Sequence, residues 1–288
     1  MGIGKIAKKL SHMIPDRLYL MIKYRKRYGQ YPNLQQPTKF TEKLQWIKLY
    51  DRRPLYTTLV DKYEVKKYVA EKLGKEYVVP LIGVWDDVDA IDFDALPDQF
   101  VMKCTHDSGG LVICKDKASF DVEAAKKKIR AILAQNFYWT SREWPYKNVK
   151  PRVIVEKYME DTETKELRDY KFFTFNGVPK VMYIASGRGT GTTYGDFFDM
   201  EFNHLDMAID HDTAPVPPKK PLNFEAMQSL AQKLAEGIPQ VRVDFYEIDG
   251  KIFFGEMTFF HCGGFERFRP DALDETWGGW IDLPKKCN

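Results

Sequence analysis

The segment VRVDFYEIDGKIFFGEMTF, residues 241–259, constrains this chain most, because it sets Asp244 and Glu256 inside runs that otherwise read as buried β-strands joined by a turn. A carboxylate withdrawn from water costs on the order of several kcal/mol unless a cation or hydrogen-bond donors compensate it. These acids therefore call for Mg²⁺, a basic partner, or a solvent-facing side. Arg242 and Asp244 share a face, so the plainest solution is the exposed side of an edge hairpin. Register separates the cases. A two-residue turn at Asp249-Gly250 sets Asp244 opposite Gly255 and points Glu256 to the other side of the sheet. An odd-length loop, Asp249 to Lys251 with a bulge, sets Asp244 directly across from Glu256, close enough to share one or two metal ions. The odd loop is the arrangement expected.

Two other clusters read as parts of a site. VMKCTHDSGG places Lys103 in a strand and follows it with a polar turn ending in Gly109 and Gly110, so backbone N–H groups and a fixed positive charge can meet phosphate oxygens. A structural hairpin reads the same way when this segment is taken alone. In VIVEKYMED a β run passes into Glu156, Lys157, Tyr158 and Met159. There an extended backbone can offer peptide groups to an adenine edge while apolar side chains sandwich the ring. In isolation it is a strand ending in polar residues.

Periodicity orders the rest of the chain. Phe40, Leu44 and Ile47 lie on one helical face, with Thr38 or Thr41 as the cap, and a second helix runs from near Asp61 to Leu73 with Val65 and Val69 inward and Gly74 as terminator. The period then shortens to that of strands at Val78 to Trp85, Phe100 to Cys104 and Leu111 to Cys114, followed by a helix from about Phe120 to Gln135. Arg152 to Met159 reads as a further strand. Asp169 to Phe175 pairs with Val178 to Ala185 across the Asn176-Gly177 turn. The Gly/Thr-rich segment at 187–196, prolines at 215–221 and a helix near Phe224 to Glu236 lead into the final hairpin. The expected class is α+β, with mixed sheets carrying helices on one side.

Composition narrows the function classes. With 288 residues and 44% hydrophobic content, the chain can bury a core and is not a disordered or fibrous protein. Cys104, Cys114, Cys262 and Cys287 form no CxxC pair and have no histidine at metal spacing, which suits a reducing, cytoplasmic location. No apolar run approaches the roughly eighteen residues that a membrane span requires. Residues 1–30 hold eight basic side chains against the single acid Asp16. That segment is +7 within a total of +3, and the remainder is −4. Ile3, Ile6, Leu10, Met13 and Ile14 fall between the lysines at helical spacing, the pattern of a helix lying on an anionic membrane at the inner face or docked on its own domain. The basic residues do not continue over the body, which argues against nucleic acid as a partner.

The order of these motifs resembles an ATP-grasp enzyme. More closely, PTKFTEKLQWIKLYDRRPLYTTLVDKYEVKKYV at 37–69, REWPY at 142–146, PRVIVEKYM and FGEMTFFHCGGF resemble the TupA-like ATP-grasp proteins of teichuronopeptide and capsule biosynthesis, from about Pro37 to Leu283. The resemblance implies an ATP-grasp fold of two α+β subdomains with mixed or antiparallel sheets clasping ATP, with a helical region at 1–58, a small subdomain at 59–155 and a large one at 156–288. It implies that Lys62 and Lys103 bind ATP phosphates, with Lys171 as a further contact, and that the loop holding His106, Asp107, Ser108, Gly109 and Gly110 closes over them. Glu156, Lys157, Tyr158 and Met159 would hold adenine. Asp244, Glu256 and Thr258 would ligate two Mg²⁺ ions, although Thr258 stands where such hairpins often carry asparagine. Arg242 and Lys103 would act on the transferring phosphoryl group, and His261, Gly263 and Gly264 would form a turn near the acceptor.

The implied chemistry is amide formation through an acyl-phosphate, joining an amino acid or peptide to a uronic-acid-containing polysaccharide or its lipid-linked precursor. No nucleophilic side chain is required, so Cys104 is expected to be packing. A sugar kinase would need the same lysines and acids. A glycosyltransferase fits the polysaccharide context but wants a DxD-type metal motif after an early strand, and this chain has only Asp196 and Asp199 further on. An inactive binding module would not need every phosphate and metal position filled.

Overall fold

The computed structural model describes residues 12–162, 167–187 and 192–286. Ile3, Ile6 and Leu10 with their intervening lysines, part of the Gly/Thr-rich segment, and Cys287 therefore lie outside the described residues. Among the described residues four helices lead: α1 (Asp16–Tyr28), α2 (Phe40–Tyr50), α3 (Pro54–Val60) and α4 (Glu64–Lys72). α2 buries Phe40, Leu44 and Ile47 as expected, but its N-cap is Lys39 rather than a threonine. The first-turn N–H that a capping side chain would accept, that of Thr41, goes to Asp274 at 2.9 Å, and Glu42 accepts the N–H groups of Asn33 and Thr38 ahead of the helix at 2.8 and 3.2 Å. The Thr41 hydroxyl also donates to Asp274. α4 turns Val65 and Val69 inward and starts after Asp61, whose side chain accepts the N–H groups of Tyr63 and Glu64.

A small sheet follows. Its strands are β1 (Leu81–Trp85), β2 (Phe100–Cys104), β3 (Leu111–Cys114) and, after helices α5 (Val122–Leu133) and α6 (Tyr138–Ser141), β4 (Val153–Lys157). They are ordered β1-β4-β2-β3. The strand expected from Val78 begins only at Leu81, because Lys75–Tyr77 form a 3₁₀ turn and Val78 bridges in parallel to Phe254 in the other sheet. In β2 the alternation is strict. Phe100, Met102 and Cys104 pack with Ile129 of α5, which leaves Val101 and Lys103 on the opposite face. Cys104 is fully buried, and burial pushes its thiol up to about 12, the behaviour of a packing residue.

The second half contains β5 (Asp169–Phe175), β6 (Val178–Ser186), β7 (Tyr194–Phe198), β8 (Ala208–Ile209), α7 (Phe224–Ala235), β9 (Gln240–Ile248), β10 (Lys251–Thr258), β11 (Phe268–Arg269) and α8 (Leu273–Gly279). Five of these strands form a sheet in the order β10-β9-β5-β6-β7, and β11 pairs with β8. Every pairing between named strands is antiparallel, one of the two arrangements expected, mixed or antiparallel. Hairpins such as β5-β6 and β9-β10 join sheet neighbours directly, and a parallel pair would need a long crossover. All seven residues of β5 are buried, as befits a central strand covered on both faces. Phe172 meets Phe224 of α7 on one side, and Phe173 and Phe175 meet Trp277 of α8 on the other.

The β9-β10 hairpin is where the expected register meets a different cause. Asp249 and Gly250 form a two-residue turn with φ of 49° and 72°, and Ile248 pairs with Lys251. Regular pairing from that turn would set Asp244 opposite Gly255. A bulge at Gly255 absorbs one residue, and Asp244 faces Glu256 as expected. The odd residue thus sits in the strand and not in the loop. Glycine suits it, since a Cβ there would come 3.1 Å from the Asp244 carbonyl oxygen.

Candidate active site

Register places one row of side chains across the large sheet, Lys171 on β5, Asp244 on β9 and Glu256 on β10, with Arg242 and Thr258 forming the next row. Arg242 holds Asp244 from two nitrogens, Nε to Oδ1 and Nη2 to Oδ2, both at 2.7 Å. The same Nη2 reaches Glu256 Oε1 at 2.8 Å and Thr258 Oγ1 at 3.0 Å. Lys171 Nζ completes the row, 2.5 Å from Asp244 Oδ2 and 3.2 Å from Asp169. Burial alone would push the Asp244 carboxyl up, but Arg242 and Lys171 outweigh it and hold that carboxyl below its usual range. This answers the cost posed by buried acids: in the protein alone, the compensating cations are side chains.

Arg242 also fixes a histidine. Its Nη1 lies 2.6 Å from His261 Nδ1. A guanidinium only donates, so Nδ1 accepts and the ring proton sits on Nε2. Burial, reinforced by the Arg242 charge, keeps the imidazole well below its ordinary pKa and therefore neutral. The turn that follows is bolted to α2: Lys48 donates to the Gly263 carbonyl and Gln45 Nε2 to that of Gly264 at 2.5 Å.

The small sheet presents the opposite charge. Glu156, 4% exposed, is paired with Lys103 at 2.7 Å and with Lys66. Lys62 donates to the Asp107 carbonyl and lies 3.5 Å from its carboxylate. Between the sheets runs a cavity of about 400 Å³ walled by Lys62, Lys66, Lys103, Ser108, Gly109 and Gly110 on one side and by Asp169, Lys171, Arg242, Asp244 and Glu256 on the other. It continues into a second chamber of about 320 Å³ lined by Val101, Ile113, Met159, Leu167 and Ile248, with Lys157 and Tyr158 at its wall. Lys103, Glu156 and Asp169 border both chambers.

Most of the expected residues therefore converge; Gly263 and Gly264 do not line the cavity although His261 does, and three expected ligand contacts stand apart. His106 and Asp107 are buried behind the glycine loop, where His106 Nε2 lies 3.0 Å from the Gln135 carbonyl. Asp107 fills the space a side chain at position 110 would need, since a Cβ on Gly110 would meet Asp107 Oδ2. Thr258 is off the cavity wall and donates to Glu256 at 3.0 Å. Sequence reading missed Lys66, Asp169 and Tyr246, and at the far end of the cavity Asp210, His211 and Cys262. Two of these carried a usable signal. Lys66 is four residues after Lys62, and Asp169 is two before Lys171 on the same strand face.

Among the described residues no three His, Cys, Asp or Glu side chains gather to hold a metal. Mg²⁺ seldom needs such a cage, since one or two carboxylates plus substrate phosphates and water suffice. The opposed Asp244 and Glu256, hard oxygen donors on the cavity wall, fit that mode.

An apolar slot opening into a lysine-lined cleft, with paired carboxylates on the facing sheet, suits a planar base carrying a polyphosphate, and two antiparallel α+β units closing on it define the ATP-grasp class. The chain belongs to the TupA-like ATP-grasp family, whose model matches residues 42–282. Comparison with curated protein sequences finds no match. Among solved structures, the chain is similar to D-alanine–D-alanine ligase from Bacillus anthracis complexed with ATP, at 18% identity, 70% of this chain, 55% of that one and a TM-score of 0.40. It is also similar to N5-carboxyaminoimidazole ribonucleotide synthetase from Thermus thermophilus, at 11% identity, 76% and 51% coverage and a TM-score of 0.43. The D-alanine–D-alanine ligase of Helicobacter pylori follows at 13%, 78% and 61%, and 0.41. The chain thus spans between half and two thirds of the length of these proteins.

Proposed function

We propose that this chain is an ATP- and Mg²⁺-dependent carboxylate-amine ligase that joins an amino acid or peptide to a uronic-acid-containing surface polysaccharide or its lipid-linked precursor. The observation that carries the reading is one cavity lined by Lys62 in the turn before α4, Lys66 on α4 and Lys103 on the small sheet together with Asp244, Glu256 and Arg242 on the large one. Such an arrangement neutralises charge on a transferring phosphoryl group, where catalysis is mainly positioning and electrostatics.

In this reading adenine occupies the apolar chamber beside Tyr158 and Met159, and Lys62, Lys66 and Lys103 take the phosphates. Lys66 and Lys103 would leave Glu156 to do so. Asp244 and Glu256 would hold Mg²⁺, which supplies charge neutralisation on the phosphate oxygens. The substrate carboxylate attacks the γ-phosphorus and ADP leaves, giving an acyl-phosphate. The amine then attacks the acyl carbon, phosphate leaves, and the amine proton passes to solvent. Arg242 steadies the phosphoryl oxygens, and the Nε2–H of the neutral His261 donates a hydrogen bond at the acyl end. The polysaccharide substrate is supported only by the resemblance to TupA-like proteins of capsule and teichuronopeptide biosynthesis, and by nothing in the cleft itself.

The test is ADP and free phosphate release from ATP and Mg²⁺ with uronic-acid glycans and pooled amino acids, wild type against Glu256→Gln. Stoichiometric ADP and phosphate, lost in the variant, support the ligase. Phosphate retained on sugar indicates a kinase, UDP release in a parallel reaction supplied with a UDP-sugar indicates a glycosyltransferase, and a protein that does not bind ATP ends the reading.

A further inference from the structure

Helix α1 lies ahead of the segment matched by the family model, and its two faces differ. Leu20 and Tyr24 are buried, Arg27 donates to the Phe265 carbonyl and pairs with Asp210 at 3.0 Å, and Tyr28 donates to the Glu266 carbonyl. This inner face fastens the helix beside the end of the cavity that Asp210 lines. The outer face carries Leu18 and Ile22, each 50% exposed and one turn apart, with Arg25 and Lys26 exposed on the same stripe and Met13, 81% exposed, in the turn before it. A hollow of about 580 Å³ lined by Ile14, Tyr19, Ile22, Lys23, Lys26 and Arg27 opens alongside.

Charge decides what such a face suits. Over residues 12–31 the only acid, Asp16, is turned inward and held by Arg52 at 2.8 Å and Arg142 at 3.2 Å. Every charged side chain on the outer stripe is therefore basic. Exposed aliphatic side chains at i and i+4 on a stripe whose charged side chains are all basic match an interfacial helix, whose apolar groups enter the acyl boundary while its basic groups meet anionic headgroups. We propose that the outer face of α1 is a docking surface for an anionic lipid bilayer. The proposal does not depend on the chemistry assigned to the cleft.

The full chain would be sedimented with phosphatidylcholine vesicles containing phosphatidylglycerol and with phosphatidylcholine alone, at low and high salt. Binding is expected to the anionic vesicles only and to weaken with salt. Leu18→Asp with Ile22→Asp should reduce it at least tenfold. Arg25→Gln with Lys26→Gln should reduce it about twenty-fivefold, taking roughly fivefold per basic residue near the surface. Both variants should keep the wild-type circular dichroism spectrum, since the altered side chains are all exposed. Binding to neutral vesicles as strongly, binding to neither, or binding unaltered by both variants would overturn the proposal. So would a wild-type dimer that Leu18→Asp with Ile22→Asp converts to monomer in light scattering, because a second copy would then be the occupant.

Discussion

Replacing Glu156 by glutamine tests the lysine side of the cleft most directly. In the protein without nucleotide, this carboxylate is the shared counter-ion of Lys66 and Lys103, whose side chains are 14% and 22% exposed. Removing one member of a buried ion pair costs about 3–5 kcal/mol. Glutamine keeps an oxygen for one lysine, and both ammonium groups retain some water, so the expected loss is about 2–3 kcal/mol. At roughly 2–4 °C per kcal/mol for a chain of this size, the melting temperature should fall by about 5–10 °C. If nucleotide phosphates take over the two lysines, saturating MgATP should stabilise the variant more than the wild type and close much of that gap. Thermal melts of both proteins with and without MgATP provide the assay. A gap unchanged by nucleotide would refute the assignment of Lys66 and Lys103 to phosphate, and no gap at all would refute the energetic role of the ion pair. The pH dependence adds a second arm. Burial would raise the Glu156 carboxyl, but Lys103 and Lys66 hold it below its usual range. Its contribution is therefore present above the unfolded carboxylate pKa, about 4.3, and is lost as pH falls through the lower folded value. The gap between variant and wild type should shrink in acid.

Glu266 should behave in the opposite sense. It is 1% exposed with no hydrogen bond to either carboxylate oxygen among the described residues, and burial pushes its carboxyl up to about 8. A raised folded pKa gives stability that is full below the unfolded value and lost as pH rises through 8. Glu266→Gln should match wild type near pH 5 and be more stable near pH 9, by about 4 kcal/mol, in urea titrations at the two pH values. Equal stability at both would contradict it. For His261, Asn keeps a donor and Leu does not, so ADP release should fall at least tenfold further in His261→Leu than in His261→Asn. The wild-type pH profile should lack an inflection near pH 6.5; an acid limb there that vanishes in His261→Asn would show the ring titrating and remove it as a fixed donor.

Much of this site was readable because strand periodicity is local. Lys171, Arg242 and Asp244 could be assigned to faces by counting in twos, and the Asn176-Gly177 hairpin follows from residues that tolerate positive φ, here 49° and 82°. The opposition of Asp244 and Glu256 could be argued for, since two acids in apolar strands need a common partner. Its cause could not, because a loop and a strand bulge shift register equally and only close packing against the Asp244 backbone selects Gly255. The glycine loop shows the same limit. Its residue types suggest a run of groups facing a ligand, yet chain direction turns His106 and Asp107 inward, where they anchor the loop that Ser108 and Gly109 present.

The sequence by itself determined the α+β class, the strand faces, the family and the residue types of the cleft, because these depend on period, turn chemistry and motif order within short spans. Tertiary structure decided who neutralises whom. Asp244 lies between Lys171 and Arg242, and Glu156 between Lys66 and Lys103, with partners up to 90 residues apart in the chain. Arg242 and Asp244 alternate on one strand and are a local pair, but the other partners meet only through space, where Coulomb interactions depend on burial, so no local pattern encodes them. The placement of Asp210 and His261 at the far end of the cavity, held through Arg27 and Arg242, was likewise settled only when α1 and the β9-β10 hairpin packed into one fold.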